Sequence, residues 1–473
     1  MESDESSLDP YNLQVYADRK ILCQEVLDAL EPLKEEGLSH EDIVTLHMLK
    51  YYSTMYIKSL EWEPYLMGLN FWEGPDWVFT SNIPRATFKT ETHYINYIAR
   101  LEKLPKAFEE ITGLMKLGAE KSITHYKPSV EGAINRLRNF TNTEIRDSIF
   151  FSPFLKIPET ISEQKRIHLR ALGEELVQSK IYPSFQRTAD FISQVYMKSC
   201  RPQPALSSLP GGKERYLAYL RFFSDWYGTA EELHELGKQE VNRINKRIEQ
   251  IKENIGFCGD HVEFMKFLEE KEEFFLKSMD EMVAYCDDLI KNRIRPKLKP
   301  FFSEPPILPL RYEVWGKSLP APAAYNAPMK PSANEEQEGL LVFKDDVRSL
   351  PTYMLPSLML HETDPGHHLQ ACFTVTNEAL PTFRRYKDDR RYFECPARFP
   401  MNVAYTEGWG LYAECLGEEM GVYEDDYDLL GYLMQDIKRA LRVVVDTGIH
   451  AFGSVINLFQ LKNIYVGARV VND

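Results

Sequence analysis

The chain has 473 residues, of which 44% are hydrophobic and 27% are charged. These proportions are typical of a globular protein with a large core and exclude a mainly disordered chain. The net charge of -15 argues against a protein that binds the phosphate backbone of nucleic acids, because such binding requires clustered Lys and Arg. We therefore expect no nucleic-acid partner.

The first residues, Met-Glu-Ser-Asp-Glu, are acidic and polar, whereas a secretory signal needs a basic start and an apolar stretch. No segment approaches the roughly 20 continuous apolar residues of a membrane helix, so we expect no membrane partner. The seven cysteines are scattered and never spaced Cys-x-x-Cys. We interpret them as reduced core residues, which favours the cytoplasm without fixing the location.

Helical spacing of apolar residues dominates from about residue 10 to 300, for example in residues 21–33 and 216–255. Proline clusters interrupt this pattern, and the cluster at residues 296–331 is the best candidate for a boundary. We therefore distinguish a mainly helical N-terminal region, residues 1–300, from a region that carries the chemical motifs, residues 301–473. We expect the two to form one continuous helical domain.

Beyond this boundary, the β-rich run of residues 339–343 predicts a lone short strand. Apolar periodicity then predicts three helices, at residues 353–377, 401–420 and 426–450. The predicted fold class is mainly α, a large helical body with a small β element.

The segment from His361 to His368 reads His-Glu-Thr-Asp-Pro-Gly-His-His. Catalytic zinc commonly takes three protein ligands, and the familiar helical motif His-Glu-x-x-His supplies two of them from one helix face. Here Pro365 occupies the place of the second histidine. The familiar spelling therefore fails.

On an unbroken helix, His367 would lie about 9 Å along the axis from His361 and about 240° around it. Proline followed by glycine breaks helices, and such a break could bring His367 to the same metal ion as His361. His368 is a rival ligand, and periodicity alone does not separate the two. His-Glu also occurs at His40 and His234, but neither has a Pro-Gly break and a histidine after it.

Three motifs occur in order: HETDPGHHLQ from His361, AYTEGWGLYAE from Ala404, and RALRVVVDTGIH from Arg439. They resemble the hallmarks of a family of peptidase-like proteins catalogued as domain of unknown function 885. The upstream segments at residues 94–117 and 209–212 also resemble this family, so the resemblance spans about residues 10 to 453. It implies a mostly helical fold with a zincin-like active-site region.

The resemblance also implies roles for individual residues. His361 and His367 become zinc ligands, Glu407 becomes the third ligand, and Glu362 becomes the general base. Glu414 is a weaker ligand candidate on the same helix. Trp409, by contrast, is expected to pack in the core because it recurs with apolar neighbours at helical spacing.

Arg442, Asp446 and His450 lie four residues apart and so share one face of a predicted helix. Asp446 could orient a ligand histidine, and we place Arg442 and His450 among the catalytic residues, where His450 could stabilise an oxyanion. The alternative is a ladder of ion pairs along the helix.

The resulting expectation is a zinc peptidase that cleaves short peptides, with the strand at residues 339–343 pairing with an extended substrate. The family's further helical region is not recognisable after Gly453, so a family member is expected to be longer. The main alternative is therefore a zinc-binding or peptide-binding protein with impaired catalysis. A di-iron protein would need Glu-x-x-His on two helices, and we find it only from Glu231 to His234.

Overall fold

The structure, a computed structural model, describes residues 7–83, 86, 88–316, 321–328, 336–386 and 402–453. These residues form two compact units, one from the start of the chain to Arg215 and one from Tyr216 onward. The division of residues 1–300 from residues 301–473 rests on sequence pattern and stays a prediction.

The first unit is helical throughout its described elements and has a core built around one long helix. That helix buries Tyr94, Leu101, Leu104, Phe108 and Ile111, which recur at the spacing that places side chains on one helix face. The helices are α1 (Leu13–Leu30), α2 (His40–Ser59), α3 (Pro75–Thr80), α4 (Glu91–Glu120), α5 (Lys127–Thr141), α6 (Ser152–Leu155), α7 (Glu163–Leu176) and α8 (Tyr182–Gln194).

The next helix, α9 (Gly212–Ser224), contains the boundary between the units. The second unit then contains the remaining helices, several of which carry the sequence motifs. These are α10 (Ala230–Asn254), α11 (His261–Glu270), α12 (Met279–Asp288), α13 (Leu355–Glu362), α14 (His367–Thr376), α15 (Thr382–Arg385), α16 (Val403–Glu419) and α17 (Asp426–His450).

Two hydrophobic clusters hold the motif helices of the second unit in place. One joins Leu360 of α13 and Leu416 of α16 to buried strand residues. The other joins Ile244 of α10 to Leu433 of α17. Capping side chains fix the starts of α16 and α17, because Asn402 accepts from the N–H of Tyr405 and Asp425 from that of Asp428.

The second unit also contains a three-stranded sheet of β1 (Leu310–Trp315), β2 (Ala323–Asn326) and β3 (Gly339–Lys344). The middle strand is β3, which pairs in parallel with β1 and antiparallel with β2. Since β3 has a neighbour on each side, the prediction that it pairs with a substrate is wrong. The expectation of a lone strand is also wrong, because two more strands pair with it.

The fold class is confirmed as mainly α with a small β element, and the helix predicted at residues 426–450 is confirmed as α17. The helix predicted at residues 401–420 corresponds to α16, although Met401 lies outside the described residues. Of the cysteines, Cys286 and Cys372 are buried free thiols, but Cys258 and Cys415 are exposed, so not all are core residues.

Candidate metal centre

The helix predicted across residues 353–377 is broken between α13, which ends at Glu362, and α14, which begins at His367. Gly366 lies against the carbonyl oxygens of Leu360 and His361, where a Cβ atom would collide with both. Glycine is therefore required for the chain to turn so sharply here.

Neighbouring side chains bind two of the polar groups at this break. The indole N–H of Trp409 donates to the carbonyl oxygen of Pro365 at 2.8 Å. Arg295 donates through Nε to Oδ2 of the buried Asp364, also at 2.8 Å. Trp409, expected only to pack in the core, thus helps to hold the break in its observed shape.

The break brings three predicted ligand residues together. One ligand atom from each of His361, His367 and Glu407 lies within 4.8 Å of the other two. Oε2 of Glu407 is 3.5 Å from Nε2 of His361 and 3.7 Å from Nε2 of His367. Two atoms bound to one tetrahedral zinc ion at about 2.1 Å lie about 3.4 Å apart, so these residues fit such an ion.

The contacts of Glu407 and His361 also shift the pKa values of these two groups. The pKa of Glu407 is lowered, chiefly by hydrogen bonds from His361 and then His367. Burial lowers the pKa of His361, but hydrogen bonds to Glu407 and Glu414 outweigh burial and raise it to about 9. Two imidazoles and a carboxylate this close hold either protons or a metal cation between them.

His368, the rival ligand, does not join this group. Its Nε2 lies 2.9 Å from the carbonyl oxygen of Leu308, and its Nδ1 lies 3.0 Å from the hydroxyl of Tyr325. Burial is the main cause that lowers the pKa of His368. A neutral ring that donates from Nε2 and accepts at Nδ1 has no nitrogen left for a metal ion.

Glu362 is partly buried beside the ligand candidates and is held by strand β2. The N–H of Tyr325 donates to Oε2 of Glu362 at 3.1 Å. The N–H of Lys344 in β3 donates to the carbonyl oxygen of Pro322. In an antiparallel pair only every second residue faces the neighbouring strand. Tyr325 is three residues after Pro322, so its N–H points away from β3. Burial is the largest cause that raises the pKa of the Glu362 carboxyl.

Glu414 lies on the opposite side of the His361 ring from Glu407. Its carboxylate is 1% exposed, and its Oε1 lies 2.7 Å from Nδ1 of His361. Arg439 and Ser357 also bind this carboxylate. Sequence reasoning had Glu414 as a weaker ligand candidate and gave Arg439 and Ser357 no role.

The structure places the other predicted catalytic residues elsewhere on α17. Asp446 accepts a hydrogen bond from the Tyr216 hydroxyl at 2.8 Å, and the ring centre of His450 lies 6.1 Å from that of Tyr216. Arg442 is exposed. The catalytic roles of Arg442 and His450 stay predictions.

Fold and site together define a mainly helical protein with two histidines and one glutamate in metal-binding geometry. The chain belongs to the family described as "Bacterial protein of unknown function (DUF885)", whose model matches residues 2–456. No curated protein matches the chain. Among the described residues, no helix has both the length and the apolar character needed to cross a bilayer.

Two solved structures share the fold. A "putative lipoprotein" from Colwellia psychrerythraea is 21% identical, with a TM-score of 0.85 over 98% of this chain and 80% of that one. A "putative lipoprotein of unknown function" from Shewanella oneidensis is 14% identical, with a TM-score of 0.59 over 95% of this chain and 79% of that one. At these identities the likeness concerns the fold alone.

Proposed function

We propose that this protein is a zinc-dependent peptidase that hydrolyses short peptides. The observation that carries the proposal is the convergence of His361, His367 and Glu407 within 4.8 Å of one another, with Glu362 beside them. Two histidines and one carboxylate form a common ligand set of catalytic zinc, which leaves one position open for chemistry.

In this proposal the protein's own residues move the proton. A bound zinc ion supplies a water molecule of lowered pKa and polarises the carbonyl oxygen of the peptide. Glu362 accepts a proton from the attacking water while the water oxygen adds to the carbonyl carbon. Glu362 then gives this proton to the amine nitrogen as the C–N bond breaks, so one water is consumed and two peptides result.

The burial of the two histidine ligand candidates supports a short peptide as the substrate. The side chains of His361 and His367 are only 8% and 12% exposed. A recessed site favours small or unfolded substrates over folded proteins.

Replacing Glu362 tests the proposal. Glu362→Gln keeps the shape of the side chain but removes the base, so we expect peptide hydrolysis to fall by about 10²- to 10⁴-fold. Zinc content should stay unchanged. The matched control is Glu418→Gln on α16, whose half-exposed side chain pairs with Arg247 and which should retain full activity.

A second candidate is a zinc-binding protein that does not catalyse hydrolysis. It is favoured by the same convergence of His361, His367 and Glu407, since binding a zinc ion needs no group that stabilises an oxyanion. In that case the unchanged protein would bind zinc but would release no products from a library of short peptides.

A further inference from the structure

We propose that Glu414, supported by Arg439 and Ser357, is a positioning residue that sets the tautomer and orientation of His361 for zinc. The inference rests on the proposed zinc site. It adds that affinity for the metal depends on groups that do not touch the ion.

The contacts of Glu414 are those of a fully satisfied buried carboxylate. Oε1 lies 2.7 Å from Nδ1 of His361 and 2.7 Å from Nη2 of Arg439. Oε2 accepts hydrogen bonds from the Ser357 hydroxyl at 2.7 Å and from Arg439 Nη1 at 3.2 Å. Arg439 therefore binds both oxygens of the carboxylate. This restricts rotation of the carboxylate and keeps Oε1 in contact with the imidazole of His361.

These contacts decide which nitrogen of His361 is free for a metal ion. An ionised carboxylate only accepts hydrogen bonds, so Nδ1 of His361 must carry the proton that it donates to Glu414. When the ring is neutral, as it is when it binds a metal ion, the lone pair of Nε2 faces Glu407 and His367. A carboxylate in this place also makes the imidazole a stronger ligand.

Arg439 acts on His361 through Glu414. Nη2 of Arg439 lies 3.4 Å from Nδ1 of His361, but both atoms carry hydrogen when His361 is neutral and bonded to Glu414. Two donors cannot form a hydrogen bond with each other. The effect of Arg439 on the histidine therefore requires the carboxylate between them.

The test is the zinc dissociation constant, measured by competition with a chromophoric chelator. We expect Glu414→Gln to weaken zinc binding by about 10- to 100-fold, because the amide presents one acceptor where the carboxylate presents two. Glu418→Gln, one turn further along α16, is the matched control and should bind like the unchanged protein. Cobalt(II) absorption should change in Glu414→Gln and not in the control.

A double-variant cycle tests the route from Arg439. Arg439→Met should weaken zinc binding in the unchanged background and have little further effect in Glu414→Gln. If Arg439→Met does not fold, Ser357→Ala serves in its place, since Ser357 also reaches His361 only through Glu414. If the double variant lost as much zinc affinity as the two single variants combined, the claim that these residues act through Glu414 would be overturned.

The outcomes separate this inference from the proposed function. Absence of zinc binding by the unchanged protein would overturn both. Tight binding by the unchanged protein and equal affinity in Glu414→Gln would overturn the inference alone. Thermal unfolding of each metal-free variant, compared with the unchanged protein, distinguishes a lost ligand geometry from a lost fold.

Discussion

Two buried histidines, His125 and His361, show how neighbouring groups set the charge of an imidazole. Burial lowers the pKa of both. At His125 the nearby Arg201 lowers it further, to about 3. At His361 the two glutamates reverse the effect of burial. Burial alone therefore does not reveal whether a histidine is a structural group or a candidate ligand.

His125 makes the stability of the protein depend on pH. Its folded pKa of about 3 lies below the unfolded value of about 6.5, so between these values the unfolded chain binds a proton that the folded chain excludes. The stabilisation is complete above pH 6.5 and is lost as the pH falls. We expect a loss of about 2 kcal/mol at pH 5.

Urea unfolding at pH 7.5 and pH 5 measures this loss. Other groups also titrate in this range, so the informative comparison is with His125→Gln, which has no such group. The free energy of unfolding should fall more steeply in the unchanged protein than in the variant. Equal slopes would show that His125 is not held neutral by the fold.

At the scale of elements, helix α16 arranges three positions around the ring of His361. Glu407, Gly410 and Glu414 are separated by three and four residues and so share one helix face. A Cβ atom on Gly410 would lie 2.5 Å from Cε1 of His361. On this face Glu407 is a candidate ligand, Gly410 leaves room for the imidazole of His361, and Glu414 is the hydrogen-bond partner of that imidazole.

Gly410→Ala should displace the His361 ring. We expect weaker zinc binding and a cost of about 1 to 3 kcal/mol in the free energy of unfolding, the usual effect of an added methyl group in a packed site. Gly408→Ala is the matched control, because Gly408 lies on the same helix with open space around its Cβ position. The control should bind zinc normally; an equal loss in both would contradict the role of Gly410.

Strand β3 shows what sequence pattern misses at this scale. Its apolar run predicts a strand, but both its pairing partners lie in a region read as a proline-rich boundary. β2 has only four residues, Ala-Ala-Tyr-Asn, too few for a clear alternating pattern. The order of the strands depends on long-range hydrogen bonds, so sequence pattern does not reveal that β3 is the middle strand and has no free edge for a substrate.

At the scale of the whole molecule, the helical fold class follows from apolar periodicity, because long helices leave a strong local pattern. Pro365 and Gly366 mark a helix break, which makes His361 and a following histidine candidate ligands, whereas Glu407 follows from the family resemblance. Periodicity leaves His367 and His368 as rivals, and the family resemblance favours His367. The contacts that occupy both ring nitrogens of His368 come from Leu308 and Tyr325, which are distant in sequence. Glu414 was singled out for its place on the helix, but its contact with His361 Nδ1 arises only from packing.

The central claim is that His361, His367 and Glu407 bind one zinc ion. Anomalous X-ray scattering at the zinc edge, from crystals of protein loaded with zinc, tests it most directly. We expect one strong peak within about 2.0 to 2.2 Å of Nε2 of both histidines and a carboxylate oxygen of Glu407. No peak among these three residues, or zinc bound to His368 in place of His367, would contradict the claim.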